Sequence, residues 1–336
     1  MSEPLLRVRD LRVEFQLARG TLRAVDGVSF DVHPGEALGL VGESGSGKTV
    51  AMRALVGLLP RAARITGGTV EIDGVDVTSA TEEQRRTLRG TTVSMIFQEP
   101  MTALNPVMRV GDQIAEEPMV RLGQSRNAAS GRAIELMRLV GIPDAKRRAD
   151  SYPHELSGGM RQRVMIAIAL SGNPRLILCD EPTTALDVTI QDQILKLLGK
   201  LQDELGVALV FVSHDLAVIA QTCRRLAVMY AGQVVETGTV ADVFREPRHP
   251  YTLGLLRSVP DFDTVRQKLT SIPGAPPDLA SPPRGCRFHP RCQFVQQDCV
   301  EGAVPLLEPS SDRAVRCLYH DQVAAYVRRE PVIARG

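Results

Sequence analysis

The sequence has almost no charge imbalance: 40 Lys and Arg stand against 39 Asp and Glu over 336 residues, a net charge of +1. Without a basic excess, nucleic acid is not expected as a main partner. Long apolar runs are missing as well. The longest aliphatic run of note, Val164–Leu170, falls far short of the ~20 residues a membrane helix needs. Met1 to Asp10 carries charges at Glu3, Arg7 and Arg9 and shows no apolar targeting core. The expectation is a soluble, cytoplasmic chain that meets a membrane only peripherally, through another protein. No internal repeat or low-complexity tract appears, which argues against a tandem pair of similar units. Cysteine is scarce and uneven: Cys179 and Cys223 stand alone, while Cys286, Cys292, Cys299 and Cys317 crowd the last fifth of the chain. In a cytosolic chain that cluster reads as metal binding or as buried thiols rather than a disulfide framework.

What is present is a packed globular composition, 43% hydrophobic, in a chain long enough for one large α/β domain and a smaller one. Residues 6–40 alternate apolar and polar positions, as in Leu11-Arg12-Val13-Glu14-Phe15, and predict antiparallel strands. Ala37–Val41 predicts a buried strand leading into a glycine-rich loop, with a helix over Lys48–Leu59. Thr69–Val77 reads as a hairpin region. Residues 107–149 turn helical and charged. Leu176–Cys179 is an all-apolar strand of the kind buried on both faces. Helix Ile190–Leu205, strand Val207–Val212 and helix Leu216–Cys223 follow, and the alternation implies a parallel-sheet core. After about Tyr251, prolines and cysteines replace the regular pattern, placing a boundary near residue 255.

The loop itself is GESGSGKT, Gly42–Thr49. Gly42, Gly45 and Gly47 permit close backbone approach, so that amides around Ser44 and Ser46 can donate to phosphate oxygens. Lys48 would lie against the β- and γ-phosphates, Thr49 would offer a hydroxyl to Mg²⁺, and the helix start points its positive end at the same anion. A ligand-free glycine turn is the competing reading, disfavoured by the full pattern lying between a strand and a helix.

Far along the chain stands LSGGM, Leu156–Met160. With the phosphate loop, it makes the sequence resemble the ATP-binding cassette (ABC) proteins, which hydrolyse ATP between two facing subunits. Ser157 is a good helix N-cap, and Gly158 and Gly159 leave the helix-start amides open to an anion. The resemblance implies that each signature closes the partner's site in a head-to-tail dimer. It also assigns roles by position. Asp180 matches the carboxylate that holds Mg²⁺ through water, and Glu181 is placed as the general base. Gln98 matches the glutamine that senses Mg²⁺ and the attacking water, and His214 resembles the histidine that contacts the γ-phosphate. Asp187 matches the interface-crossing loop. Phe15 either stacks on adenine or belongs to the core. An Asp-Glu pair after a strand could equally open a helix, and a lone histidine is more often structural; the surrounding motifs favour the functional readings.

Longer stretches resemble the ATPase subunits of oligopeptide and dipeptide importers: Gln98–Pro106, Glu181–Thr189, His249–Leu253, Ile272–Leu279 and Gly285–Cys292. The family implies an α/β P-loop ABC ATPase core, RecA-like with antiparallel β and helical subdomains, plus a small Cys-containing C-terminal domain. Residues 1–255 would form the nucleotide-binding domain, with the helical subdomain at about 105–165, and residues 256–336 the extension. It also implies a second ATPase subunit, usually a different chain, two membrane permeases and an external solute-binding protein, at the cytoplasmic face of the inner membrane. Expected cofactors are ATP and Mg²⁺. Cys286, Cys292, Cys299 and Cys317 match the ligand count of a [4Fe–4S] cluster and resemble importer tails that carry one, with Zn²⁺ as the alternative. Arg284, Arg287 and Arg291 would offset cluster charge or form a solvated basic face. Competing classes are a soluble ABC ATPase acting on DNA or ribosomes, which would carry long insertions or two cassettes, and a non-catalytic cassette, which would have lost Lys48, Glu181 or His214.

Overall fold

A computed structural model describes residues 3–18, 20–184, 186–258 and 271–330. They fall into two compact units built from discontinuous stretches. One comprises residues 1–6, 31–37 and 71–212, the other residues 7–30, 38–70 and 213–336.

In the first unit, Leu176–Asp180 pairs in parallel with Val93–Ile96 on one side and Ala208–Ser213 on the other, Ile177 lying opposite both Ser94 and Leu209. All five residues of Leu176–Asp180 are buried, which explains a strand with no polar alternation before its terminal aspartate. The helical region expected at 107–149 resolves into separate helices Val110–Arg121, Arg126–Leu139 and Ala145–Arg148. Gly123 ends the first in a left-handed conformation, φ 63°, and Ser125 caps the second by accepting the Ala128 N–H. The first two of these helices pack against Gly158–Leu170. The buried Gln113 pins the preceding connection, accepting from the Asn105 N–H at 2.9 Å and donating to the Asn105 and Met108 carbonyls at 3.0 and 2.9 Å.

In the second unit, Leu6–Leu17 lies between Gly20–Val32 and Ala63–Ile72. Strands joined as tightly as the first two must run antiparallel. Leu11 and Val13 point into the core while Arg12 faces out, the period-2 pattern of the sequence made physical. Ala37–Val41 pairs in parallel with Arg225–Tyr230, Leu40 opposite Ala227. From there the sheet continues antiparallel through Gln233–Thr239, Arg313–Val315 and Leu307–Ser310. The tail thus adds strands to the unit that carries the glycine loop. It also has an apolar core, where Leu253, Val315, Cys317, Val323 and Val327 pack together. The helix expected to reach Leu59 ends at Leu55. Gly57 turns left-handed, φ 66°, and the Leu58 N–H returns to the Arg53 carbonyl at 2.8 Å, a stop signal by hydrogen bonding as well as by conformation. No described helix is long and apolar enough to cross a membrane.

Candidate nucleotide site

The loop Gly42–Thr49 joins the buried strand Ala37–Val41 to the helix Lys48–Leu55. Two of its glycines are required by packing. A Cβ on Gly42 would lie 2.1 Å from the Met229 carbonyl oxygen, and one on Gly47 would lie 2.4 Å from that of Ala24. Both positions also have φ in the left-handed range, 153° and 100°, so no other residue fits without moving the backbone. Lys48 is buried, and its ammonium donates to the Gly42 and Glu43 carbonyls at 2.7 and 2.9 Å and to Ser46 Oγ at 3.4 Å. Ser44 and Gly45 are exposed, Ser46 is buried and Thr49 half-buried. Phe15 is half-buried near the C-terminal end of its strand. His214 is exposed and follows the strand Ala208–Ser213 in a tight turn: the Asp215 N–H donates to Ser213 Oγ at 2.9 Å, and the Asp215 carboxylate accepts from the Ala217 N–H at 2.8 Å. The loop, Phe15 and His214 all belong to the second unit.

The first unit carries the acidic residues. Asp180 is buried at the end of its strand. Glu181, directly after it, adopts φ 48°, a left-handed conformation uncommon outside glycine, asparagine and aspartate. Such strain costs on the order of 1–3 kcal/mol and persists only where surroundings impose it. Here the Glu181 N–H is tied to the Val212 carbonyl at 3.1 Å. Its carboxylate accepts from Gln98 Nε2 at 3.2 Å and Thr184 Oγ1 at 2.8 Å. The structure therefore brings together Gln98 and Glu181, which are 83 residues apart. Ser157 caps Gly158–Leu170 by accepting the Met160 N–H. Gly159 packs so closely that a Cβ would lie 2.9 Å from Ile190 Cγ2. Asp187 accepts the N–H of the same Ile190 at 2.9 Å as N-cap of Val188–Leu205. One residue thus links the signature segment to the Asp187 segment, a connection no sequence spacing announces.

The cysteine expectation is corrected. Cys286, Cys292, Cys299 and Cys317 do line one cavity with His249 and His289, but its volume is about 20 Å³, room for roughly one water. Among the described residues no group of three or more His, Cys, Asp or Glu side chains is arranged to hold a metal ion. In the metal-free protein burial pushes the Cys286, Cys292 and Cys317 thiols up, Cys292 to about 11 and Cys317 to about 12. Four cysteines would supply the right donors, but as arranged here they form no site for a [4Fe–4S] cluster or zinc. The tail is held together by the apolar core around Leu253 and Val315. Two of the three tail arginines are not on a basic face either. Arg287 and Arg291 are buried, paired with Asp26 and Glu43, while Arg284 is exposed. Sequence reasoning misassigned these two arginines and gave no role to Tyr251, whose hydroxyl accepts the Glu43 N–H at 2.7 Å.

Residues 25–184 match the family model described as ABC transporter, and residues 235–299 match the one described as oligopeptide/dipeptide transporter, C-terminal region. Two solved structures share the cassette fold. A dimeric post-hydrolysis state of the ATP-binding cassette MJ0796 bound to ADP and Pi superposes with a TM-score of 0.63 at 27% identity, over 70% of this chain and 98% of that one. The cbiO1 protein of Clostridium perfringens gives 0.62 at 25% identity, over 72% and 91%. The class is therefore an ABC ATPase. A Brucella melitensis protein named as a peptide import ATP-binding protein is 48% identical over 335 residues, 96% of this chain and 99% of that protein. The oligopeptide transport ATP-binding protein OppD of Bacillus subtilis is 47% identical over 93% of this chain and 88% of that protein. The chain belongs to the family of ABC transporter ATP-binding proteins of peptide import.

Proposed function

We propose that the chain couples ATP binding and hydrolysis to the uptake of oligopeptides or dipeptides through membrane permease subunits. The observation that carries this reading is the pairing of a built phosphate loop with relatives named for peptide import along nearly its full length. Lys48 and the loop amides of Gly42–Thr49 bind the β- and γ-phosphates. Thr49, Gln98 and Asp180 supply oxygen donors suited to Mg²⁺, a hard cation that neutralises phosphate charge when bound. Glu181 accepts the proton of the attacking water, with Gln98 orienting it, and a general base of this kind contributes typically ~10²–10⁴-fold in rate. His214 contacts the γ-phosphate, Phe15 packs on adenine, and Ser157, Gly158, Gly159 and Asp187 serve the partner's nucleotide across a head-to-tail dimer. That dimer is supported by the dimeric state of the MJ0796 cassette.

The remaining partners are a second ATPase chain, two permeases and an external solute-binding protein, with this chain peripheral at the cytoplasmic face of the inner membrane. Gln98–Pro106 and the helix after it dock a permease. Thr102 and Ala103 are exposed, and Val107 is 79% exposed, as a docking loop requires. The test is reconstitution of the complete transporter in vesicles with labelled peptide. ATP-dependent accumulation that Lys48→Ala abolishes is expected. ATP turnover with no movement of any peptide would overturn the assigned cargo.

A further inference from the structure

Glu43 is the one acidic residue in the sequence Gly42–Thr49. A carboxylate in a phosphate-binding loop is electrostatically awkward, because it repels the anion the loop is built to hold. The structure shows how this charge is handled, and it does so with residues from the other end of the chain. Arg291 is bidentate to the Glu43 carboxylate, Nη1 to Oε2 at 2.8 Å and Nη2 to Oε1 at 3.1 Å. Tyr251 Oη accepts the Glu43 backbone N–H at 2.7 Å, and Lys48 donates to the Glu43 carbonyl at 2.9 Å. All three polar groups of a single loop residue are fixed.

Both clamping residues are themselves held. Arg291 Nε donates to the Pro273 carbonyl at 2.8 Å and Nη1 reaches Tyr230 Oη at 3.4 Å, with the guanidinium over the Tyr230 and Phe288 rings at 5.8 and 5.9 Å. Tyr251 is the second residue of the helix Pro250–Arg257, whose N-cap is His249. The His249 Nδ1 accepts the Tyr251 N–H at 3.1 Å, and its own N–H donates to Glu236 at 3.0 Å. The segments His249–Leu253 and Gly285–Cys292 thus meet at one residue of the loop, with Ile272–Leu279 holding Arg291 from behind.

We propose that Arg291 and Tyr251 are positioning residues for ATP binding: Arg291 neutralises Glu43 and holds its side chain away from the phosphates, while Tyr251 fixes the backbone at which the loop begins. The proposal rests on the reading of Gly42–Thr49 as the ATP site. It implies that the tail acts directly on nucleotide affinity.

The test uses the full chain in its assembled transporter, measuring KM for ATP and kcat at low and high salt, with thermal stability alongside. Arg291→Gln should raise KM about ten-fold, the scale of a lost charged hydrogen-bonded pair, with a smaller change in kcat. High salt should shrink that rise in part, because the Glu43 carboxylate is half-buried and still open to screening. Adding Glu43→Gln should return KM most of the way by removing the uncompensated carboxylate. Arg291→Lys should rescue partly, keeping the charge and losing the fork. Tyr251→Phe keeps the ring packing and should raise KM about five-fold, so it carries the test if Arg291→Gln does not fold. Arg316→Gln is the control. It removes another tail arginine, half-buried, whose hydrogen bonds go to the Val234 and Val304 carbonyls, and it should lower stability without raising KM. The proposal is overturned if Arg291→Gln and Tyr251→Phe destabilise as Arg316→Gln does while KM stays at the wild-type value. A wild-type transporter without ATP turnover would instead overturn the ATP reading and this proposal with it.

Discussion

His249 is uncharged in the folded protein because burial strips its hydration, an effect the nearby Arg316 charge reinforces, and its pKa falls to about 3 from an ordinary 6.5. The unfolded chain takes up a proton at this residue as pH drops below about 6.5, whereas the folded chain does not until about pH 3. Stability is therefore lost as pH falls through that window, by at most about 1.4 kcal/mol per pH unit from this group. Glu236, which accepts the His249 N–H, and Arg316 are the charged groups around it. In His249→Asn, which keeps a capping side chain, guanidinium midpoints should fall less between pH 6.5 and 4 than in the wild type. Equal slopes would remove His249 as a source of acid sensitivity. Glu181 is the other residue under unusual constraint, held at φ 48° by its link to Val212. Glu181→Gly relieves that strain yet deletes the carboxylate, so it should leave the chain as stable as the wild type, or more so, and without turnover. A marked loss of stability would show that the Gln98 and Thr184 contacts outweigh the strain.

At the scale of elements, the strand–loop–helix around Gly42–Thr49 is where sequence and structure agree most closely, because its constraints are local. Eight consecutive residues carry the pattern, and the collisions that a Cβ at Gly42 or Gly47 would cause involve backbone that cannot move aside. Gly47→Ala should cost about 1–3 kcal/mol in denaturant unfolding and lose most ATP affinity; binding at the wild-type level would contradict the packing argument. The buried strand Leu176–Asp180 was legible for the same reason, as a short apolar run with no alternation. Helix ends were less so. The stop at Leu55 rather than Leu59 depends on a hydrogen bond from Leu58 back to Arg53, which residue types alone do not reveal. Least legible were contacts between distant segments. Arg291 and Glu43 lie 248 residues apart, and nothing in the local composition of either points to the other. The four cysteines misled for the opposite reason. Their count suggested a cluster, but the proline-rich tail draws its cohesion from Leu253, Val315, Val323 and Val327, apolar residues spread too thinly along the chain to read as a core.

At the scale of the whole molecule, the family assignment and the phosphate loop make a single claim, that this chain binds and hydrolyses ATP as half of a dimer. Glu181→Gln, with the equivalent substitution in the second ATPase chain, should trap the ATP-bound dimer, since binding that favours association is no longer relieved by hydrolysis. Sedimentation with and without MgATP would show a concentration-dependent shift, and a monomer under all conditions would remove the dimer from the account. The most direct test is phosphate release by the assembled transporter carrying either wild-type chain or Glu181→Gln. Turnover is expected in the wild type and a fall of roughly 10²–10⁴-fold in the variant, with MgATP affinity kept within a few-fold. Near-normal phosphate release from Glu181→Gln would contradict that expectation.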